Sequence, residues 1–371
     1  MHLALAGALI ALTLAQPEPA PPIQAGRDSS WTMVLAGDIM LGRGVKKYID
    51  RKGEGYPFEL TTPWTSTADL AVANLESPLT TAPYLTTSPW KFTGDTVLAA
   101  RALRTAGFAY VSLANNHALD CGRLGFLDTQ RWLDSAGVTH AGRSSCDTIQ
   151  YDSLRAMDTL AASAYADSSL CRPAYLTIKG IRIGFLSFCE PYLLAIARDY
   201  GAELVTRADS ATVARSVLAM RDSCDLLVCS FHWGDEYRDY PTKTQKKLGR
   251  LAIDLGARIV HGHHPHVLEG VEFYKQGLIA YSLGNFIFDQ RHAKPRQSML
   301  LKLKMRGTAV DSVFLRPLEI VDNRPQPATR AGWKMITKRL MKQCGKLVTA
   351  VTAQDGLLCL SPKPADVKKP R

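Results

Sequence analysis

Short apolar runs rich in β-branched and aromatic residues recur along the chain, each stopped by Gly, Asn, Asp or His. Residues 31–36, 70–73, 109–113, 181–188, 225–230 and 257–260 are such runs, and they predict strands. Between them, apolar positions recur at helical spacing over 125–136, 210–221 and 243–255. Asp95 reads as the cap of a further helix through about residue 106. Strands alternating with helices predict an α/β chain. Further along, 271–274 and 278–281 pair as a hairpin, and 299–320, where Leu and Met alternate with Lys, predicts an antiparallel hairpin. Residues 330–350 predict a basic amphipathic helix, and 361–371 a disordered end rich in Pro and Lys. The Pro- and Thr-rich stretch 53–93 reads as loop apart from its one strand, and 146–170 is small, polar and without a pattern.

The strand ends carry the chemistry. Five predicted strands stop in residues of metal-ligand type: Asp38; Asn74 and Glu76; Asn116 and His117; His232; His264 and His266. Open α/β sheets bind ligands at the carboxyl ends of their strands, so these ends can converge along one edge. The densest is Ile259-Val-His-Gly-His-His-Pro-His-Val267, with imidazoles at His261, His263, His264 and His266. Residues two apart on an extended segment point the same way, and Pro265 stiffens the backbone between His264 and His266. One Asp, one Glu, one Asn and several His make a donor set for one or two divalent ions of the Mn, Fe or Zn type. Two ions about 3.5–4 Å apart can activate a water and hold both oxygens of a phosphoryl transfer. An unligated His can protonate the leaving group. Plainer roles compete for the same residues. The His run can be a solvated loop or a set of capping donors. Asp38 can cap a turn, Asn116 can hold a left-handed turn, and Asp120 can cap the next helix. Trp233 and Tyr237 either line a groove or pack; Arg43 either binds an anionic group or pairs with a nearby carboxylate.

Composition changes this picture in three places. A length of 371 residues, 46% hydrophobic and 21% charged, fits one large domain plus an appendage, or two domains, with ample core. The net charge of +11 sits in one segment: from Lys294 onward 17 Lys and Arg face 5 Asp and Glu, while the rest of the chain carries 28 against 29. Such a tail can meet an anionic membrane, a wall polymer or nucleic acid, or simply be a solvated helix face. No nucleic-acid recognition motif accompanies the charge, which argues against that partner. Residues 3–14 are almost wholly apolar, too short for a bilayer span of about 20 residues and of signal-peptide form. Thr13-Leu14-Ala15 offers a cleavage site, followed by a Pro-rich linker to residue 22. Export to the periplasm or beyond is the expectation. Eight cysteines suit an oxidising compartment, with Cys121–Cys146 and Cys344–Cys359 as candidate bridges and no CxxC pair.

Six segments in order resemble the motifs of CapA-type capsule biosynthesis proteins. They are Gly37-Asp-Ile-Met-Leu-Gly-Arg43, Ala73-Asn-Leu-Glu-Ser-Pro-Leu79, Ala114-Asn-Asn-His-Ala-Leu-Asp120, His232-Trp-Gly-Asp-Glu236, Gly262-His-His-Pro-His-Val267 and Tyr281-Ser-Leu-Gly-Asn-Phe286. That family is associated with poly-γ-glutamate capsule synthesis and is similar in fold to calcineurin-like metallophosphoesterases. The resemblance covers about residues 31–320 and implies a two-sheet αββα sandwich there, preceded by the leader over 1–22 and followed by a basic helical C-terminal appendage over 323–371.

The resemblance also implies roles. Asp38 would be a terminal metal ligand, and Glu76 would stand where the phosphoesterases place a bridging Asp. Asn116 would supply an amide oxygen, and His232, His264 and His266 would complete the set. His117 would be the leaving-group acid or a phosphate contact. Asn74, Asp120, His263 and Asn285 would orient ligands or fix loops, and His261 would be structural. One departure stands out: the phosphoesterase pattern begins Asp-x-His, whereas Asp38-Ile-Met40 removes that imidazole from the first ion position. The expected function is an exported, envelope-associated, metal-dependent hydrolase of a phosphoester or of an amide in an anionic polymer, alone or with a capsule-synthesis membrane complex. The rival is a non-catalytic envelope protein that binds such a polymer or supports its synthesis and export.

Overall fold

The structure is a computed structural model that describes residues 30–144, 170–354 and 356–363. The expected leader, Cys146 and the last residues of the chain lie outside them. In chain order the strands are β1 (Ser30–Ile39), β2 (Leu70–Leu75), β3 (Phe108–Ser112), β4 (Thr139–Ala141), β5 (Ala174–Ile178), β6 (Ile181–Cys189), β7 (Leu226–His232), β8 (Ile259–His263), β9 (Val271–Tyr274), β10 (Gly277–Ala280), β11 (Asn285–Ile287), β12 (Gln297–Arg306), β13 (Ala309–Val321), β14 (Arg324–Pro327), β15 (Thr349–Gln354) and β16 (Leu357–Pro362). The helices are α1 (Arg43–Lys52), α2 (Thr62–Thr65), α3 (Val97–Thr105), α4 (Gly122–Ala136), α5 (Ser210–Met220), α6 (Lys243–Leu255) and α7 (Arg330–Gly345). They form a ten-stranded sheet, ordered β15-β16-β13-β12-β1-β2-β3-β4 with β11 beside β1 and β14 beside β13, and a six-stranded sheet ordered β5-β6-β7-β8-β10-β9.

Side-chain alternation sets the layers. Along β1, Met33 and Leu35 join Phe185, Val228 and Ile259 of the smaller sheet in one core. Val34 and Ala36, one residue out of step, join Ala100, Leu103 and Phe126 beneath α3 and α4. On the far face of the smaller sheet, Val260 and Ile279 meet Val217 of α5 and Leu248 and Ala252 of α6. The result is the expected αββα sandwich, each fully buried Leu, Ile or Phe contributing roughly 1.5–3 kcal/mol. Tyr110 ties the two sheets together: its ring stacks on Phe185 at 4.0 Å and its hydroxyl shares a 2.7 Å hydrogen bond with Ser187.

Helix α6 shows how local sequence fixes an element. Thr242 Oγ1 accepts from the Gln245 backbone N–H at 3.1 Å, and the Gln245 side chain accepts from the Thr242 N–H at 2.8 Å. This capping box is worth about 1 kcal/mol, and Leu248, Ala252 and Ile253 then face the sheet. At α3 the cap is Thr96, one residue later than expected, because Asp95 spends its Oδ1 on the Thr96 N–H at 2.6 Å.

The basic C-terminal segment differs most from expectation. Over its described residues it is built into the sandwich: β14 and β16 both pair with β13, and β15 pairs with β16. Helix α7 stops at Gly345 rather than near 350, and its Ile336, Leu340 and Cys344 enter the core between the sheets with Val351, Leu358 and Leu360. Counting Lys and Arg hides this apolar stripe, which is what anchors the segment. Cys344 and Cys359 are both free thiols, so that expected bridge is absent; burial pushes the Cys344 thiol up to about 11.

Candidate metal centre

Parallel β1, β2 and β3 of the larger sheet and β7 and β8 of the smaller end on the same side, and their terminal residues meet. The backbone must come close for this, which two glycines permit. A Cβ on Gly37 would sit 1.9 Å from the Gly284 carbonyl oxygen, and one on Gly262 would sit 2.0 Å from that of Tyr281. With Gly37 in place, the Asp38 N–H donates to Gly284 O at 3.0 Å, which draws Asn285 beside Asp38. Behind them His261 places Nε2 2.8 Å from the Ala36 carbonyl, a structural link between the sheets as expected.

At the centre Asp38, Glu76 and His232 bring one ligand atom each within 4.8 Å of one another, and so do Glu76, His264 and His266. The two sets share Glu76. Both of its carboxylate oxygens are buried without a hydrogen-bond partner among the described residues, as are His232 Nδ1 and His264 Nδ1. The nearest imidazole nitrogens, His266 Nε2 and His232 Nε2, lie 3.7 and 3.8 Å from Glu76 Oε1. Burial, with Asp38, Glu236 and Asp120 nearby, holds the Glu76 carboxyl well above its usual range. For Asp38, burial is outweighed by His263 and His266 and by the Asn74 amide, so its carboxyl lies below the usual range. Burial and neighbouring imidazoles hold His232 well below its ordinary value and His264 at about 3. Neutral imidazoles, one ionised carboxylate and a second carboxylate that lacks a counter-charge form a donor set that a divalent cation completes. The residues therefore fit the expected ion or ions, which Asp38, Glu76, His232, His264 and His266 would hold.

Around this set the remaining expected residues hold position. Asn74 Nδ2 donates to Asp38 Oδ1 at 2.9 Å, and His263 Nδ1 lies 3.0 Å from the same oxygen, off the hydrogen-bonding direction. His266 Nδ1 lies 2.9 Å from Asn285 Oδ1, and Asn285 Nδ2 donates to Pro295 O at 3.0 Å. Asn116 brings its amide oxygen to 2.8 Å from His232 Nε2. His117 stacks on Phe92 at 3.7 Å and places Nδ1 2.9 Å from Asp120 Oδ2, which also accepts from the Phe92 N–H at 2.8 Å. Asp120 therefore orients His117 and does not cap α4, whose N-cap is Cys121. His264 and His266 both hold positive φ, at 94° and 55°, strain of a kind concentrated at functional sites.

Two open alternatives resolve. Trp233 packs, stacked on Phe231 and donating to Tyr281 O at 3.0 Å, whereas Tyr237 is exposed with its ring 6.2 Å from that of His266. Arg43 pairs through Nε with Asp289 at 3.2 Å, its guanidinium over Trp90 and Phe92. Met40 is buried, its sulfur accepting from the Gly42 N–H at 3.1 Å. Asn115, inside the Ala114–Asp120 motif but without an expected role, donates to Asn74 Oδ1 and Leu75 O at 3.2 and 2.9 Å. Phe92 belongs to the site as well, and its Pro- and Thr-rich context carries no signal of that.

Comparison with known proteins places the sequence in a family. The sequence matches the model of the family described as bacterial capsule synthesis protein PGA_cap over residues 32–152 and 147–290. It is 32% identical over 333 residues to the capsule biosynthesis protein CapA of Bacillus anthracis, covering 87% of this chain and 76% of that one. To the PGA biosynthesis protein CapA of Bacillus subtilis (strain 168) it is 28% identical over 323 residues, covering 85% and 79%. Among solved structures, a putative 5'-nucleotidase from Staphylococcus aureus in complex with alpha-ketoglutarate superposes with a TM-score of 0.46 at 11% identity; the match takes in 87% of this chain, which spans 59% of that protein. With the family model matching well over half of its length, the chain belongs to the bacterial capsule synthesis protein family, the family of CapA.

Proposed function

We propose that this member of the capsule synthesis family is a metal-dependent hydrolase, exported to the cell envelope, that acts on a phosphoester or on an amide of an anionic polymer such as poly-γ-glutamate. The observation that carries the reading is Glu76, a buried carboxylate with no hydrogen-bond partner among the described residues, shared between two candidate ligand sets. Such a group beside a second, ionised carboxylate supports a divalent ion at this place, which a hydrolase of this kind needs. When bound, one or two divalent ions would supply an activated water and charge neutralisation. The chain's own contribution is orientation and proton delivery. Asp120 fixes the ring of His117 through Nδ1, so that Nε2 is the nitrogen free to serve a leaving group. Phe92 stacked on the same ring restricts its rotation and excludes water from one face. The apolar run 3–14, outside the described residues, supports export, and a capsule-synthesis membrane complex would be the partner at that location. No described helix is long and apolar enough to cross a membrane.

The test is metal analysis of the purified full-length protein, followed by turnover of p-nitrophenyl phosphate and of poly-γ-glutamate by wild type and His117→Ala. We expect bound divalent metal and a loss of roughly 10²–10⁴-fold in the variant, the usual contribution of a general acid. Bound metal with no His117-dependent turnover of either substrate would leave the non-catalytic polymer-binding reading in its place.

A further inference from the structure

The basic charge beyond Lys294 has a definite place in the fold. On α7, Met335, Arg339 and Lys342 fall on one stripe at spacings of four and three. That stripe forms one wall of a cleft of about 260 Å³, faced by Tyr240 and Lys294. One carboxylate, Asp239, lies among the cations, 3.1 Å from Lys294 Nζ and 2.6 Å from an Arg339 guanidinium nitrogen. The cations outnumber it, and Lys346 adds another by lying 4.0 Å over the Tyr240 ring. Arg339 is recessed, with only 13% of its side chain exposed, and its Nε lacks a partner among the described residues. Gln343, which also lines the cleft, buries an amide oxygen that likewise lacks one.

The cleft lies next to the metal centre. Lys294 Nζ donates to the carbonyl of Tyr237, whose ring is 6.2 Å from that of His266. The same segment returns to the site at Pro295, whose carbonyl anchors Asn285 and through it His266.

We propose that this cleft is a subsite for an extended polycarboxylate chain, which it holds so that a neighbouring segment of the chain reaches the metal centre. The placement relative to the metal rests on the hydrolase reading; the binding does not. Carboxylates spaced by short methylene links match its makeup, cations at intervals along apolar surface from Met335 and Tyr240. A bilayer surface fits it less well, because the most constrained cation lies below the cleft rim where a flat headgroup layer does not reach.

The experiment is equilibrium binding of poly-γ-glutamate to the full-length protein, comparing wild type with two double variants. Lys294→Gln with Lys342→Gln empties the cleft of its exposed cations. Lys334→Gln with Lys338→Gln removes the same charge from α7 outside the cleft. Melting temperature and bound metal verify that each is folded. We expect the cleft variant to weaken binding roughly tenfold, with a reduced salt dependence, and the control to stay within about twofold of wild type. Equal losses in the two variants, or no loss in the cleft variant, overturn the inference. So does cleft-dependent binding to phosphatidylglycerol vesicles without binding to the polymer. Absence of His117-dependent turnover alongside cleft-dependent polymer binding would count against the hydrolase reading alone.

Discussion

Glu76→Gln is the change with the sharpest consequences. It keeps the shape of a side chain that is fully buried and removes its charge. Glu76 and Asp38 present ligand oxygens within 4.8 Å of each other. At an effective dielectric of about 20, two like charges at that separation repel by about 3 kcal/mol. Burial and Asp38 raise the Glu76 carboxyl well above its ordinary value, so in the folded chain it resists ionising. A raised carboxyl favours the fold while it keeps its proton, below the unfolded value, and that advantage is lost as the pH rises through the folded one. The glutamine variant should therefore match wild type in acid and exceed it above neutrality, when metal is removed by a chelator. For a chain of 371 residues, about 3 kcal/mol corresponds to roughly 4 °C in melting temperature. Metal reverses the order: at about a thousandfold excess over Kd it stabilises wild type by about 4.1 kcal/mol, and the variant, without its shared ligand, gains little. Differential scanning calorimetry with chelator and with Mn or Zn at pH 6 and 8 reads both effects. A variant less stable than wild type in chelator at pH 8, or one stabilised equally by metal, would refute the assignment of Glu76 as a shared ligand.

Two further outcomes are expected. Asp120→Asn keeps the packing but loses the carboxylate that sets the His117 ring, so turnover should fall roughly 10²–10⁴-fold with bound metal retained; unchanged turnover with normal metal content would remove Asp120 from the mechanism. Glu269 is buried and pushed up to about 8 chiefly by burial, against the Gln245 hydrogen bond and the positive charges of Arg339 and Arg238. Its contribution is present below its ordinary value and lost as pH rises through about 8, so Glu269→Gln should be more stable than wild type at pH 9 by up to about 5 kcal/mol and equal to it near pH 4. A pH-independent difference in melting temperature would show that Glu269 is not the titrating group.

The fold was legible where burial on one or two faces leaves a period in the sequence. Residues 243–255 form the expected helix to the residue because Thr242, Gln245 and Gly256 mark both ends. The β12–β13 hairpin is equally plain, since alternate Leu and Lys can face only one way. The C-terminal segment leaves no such period. Its identity as sheet and core rests on Leu358, Leu360 and three buried residues of α7, a small apolar fraction of a stretch dominated by Lys and Arg. Charge count and burial are separate properties, and here the count was the louder.

The site divides along the same line. Residue types readable as ligands came together because they end parallel strands, but their division of labour follows from packing between the sheets. The larger sheet supplies the carboxylates Asp38 and Glu76; the smaller supplies the imidazoles His232, His263, His264 and His266. Met40 makes sense in that light. β1's motif carries a buried thioether in place of the phosphoesterase imidazole, and the imidazole beside Asp38, 3.0 Å away, is that of His263 from the opposite sheet. No local pattern at residues 38–40 could show this, since the contact joins residues about 225 apart in the chain and depends on Gly262 lying against Tyr281. The candidate ligand set thus holds together only while the inter-sheet core around Tyr110 and Phe185 does.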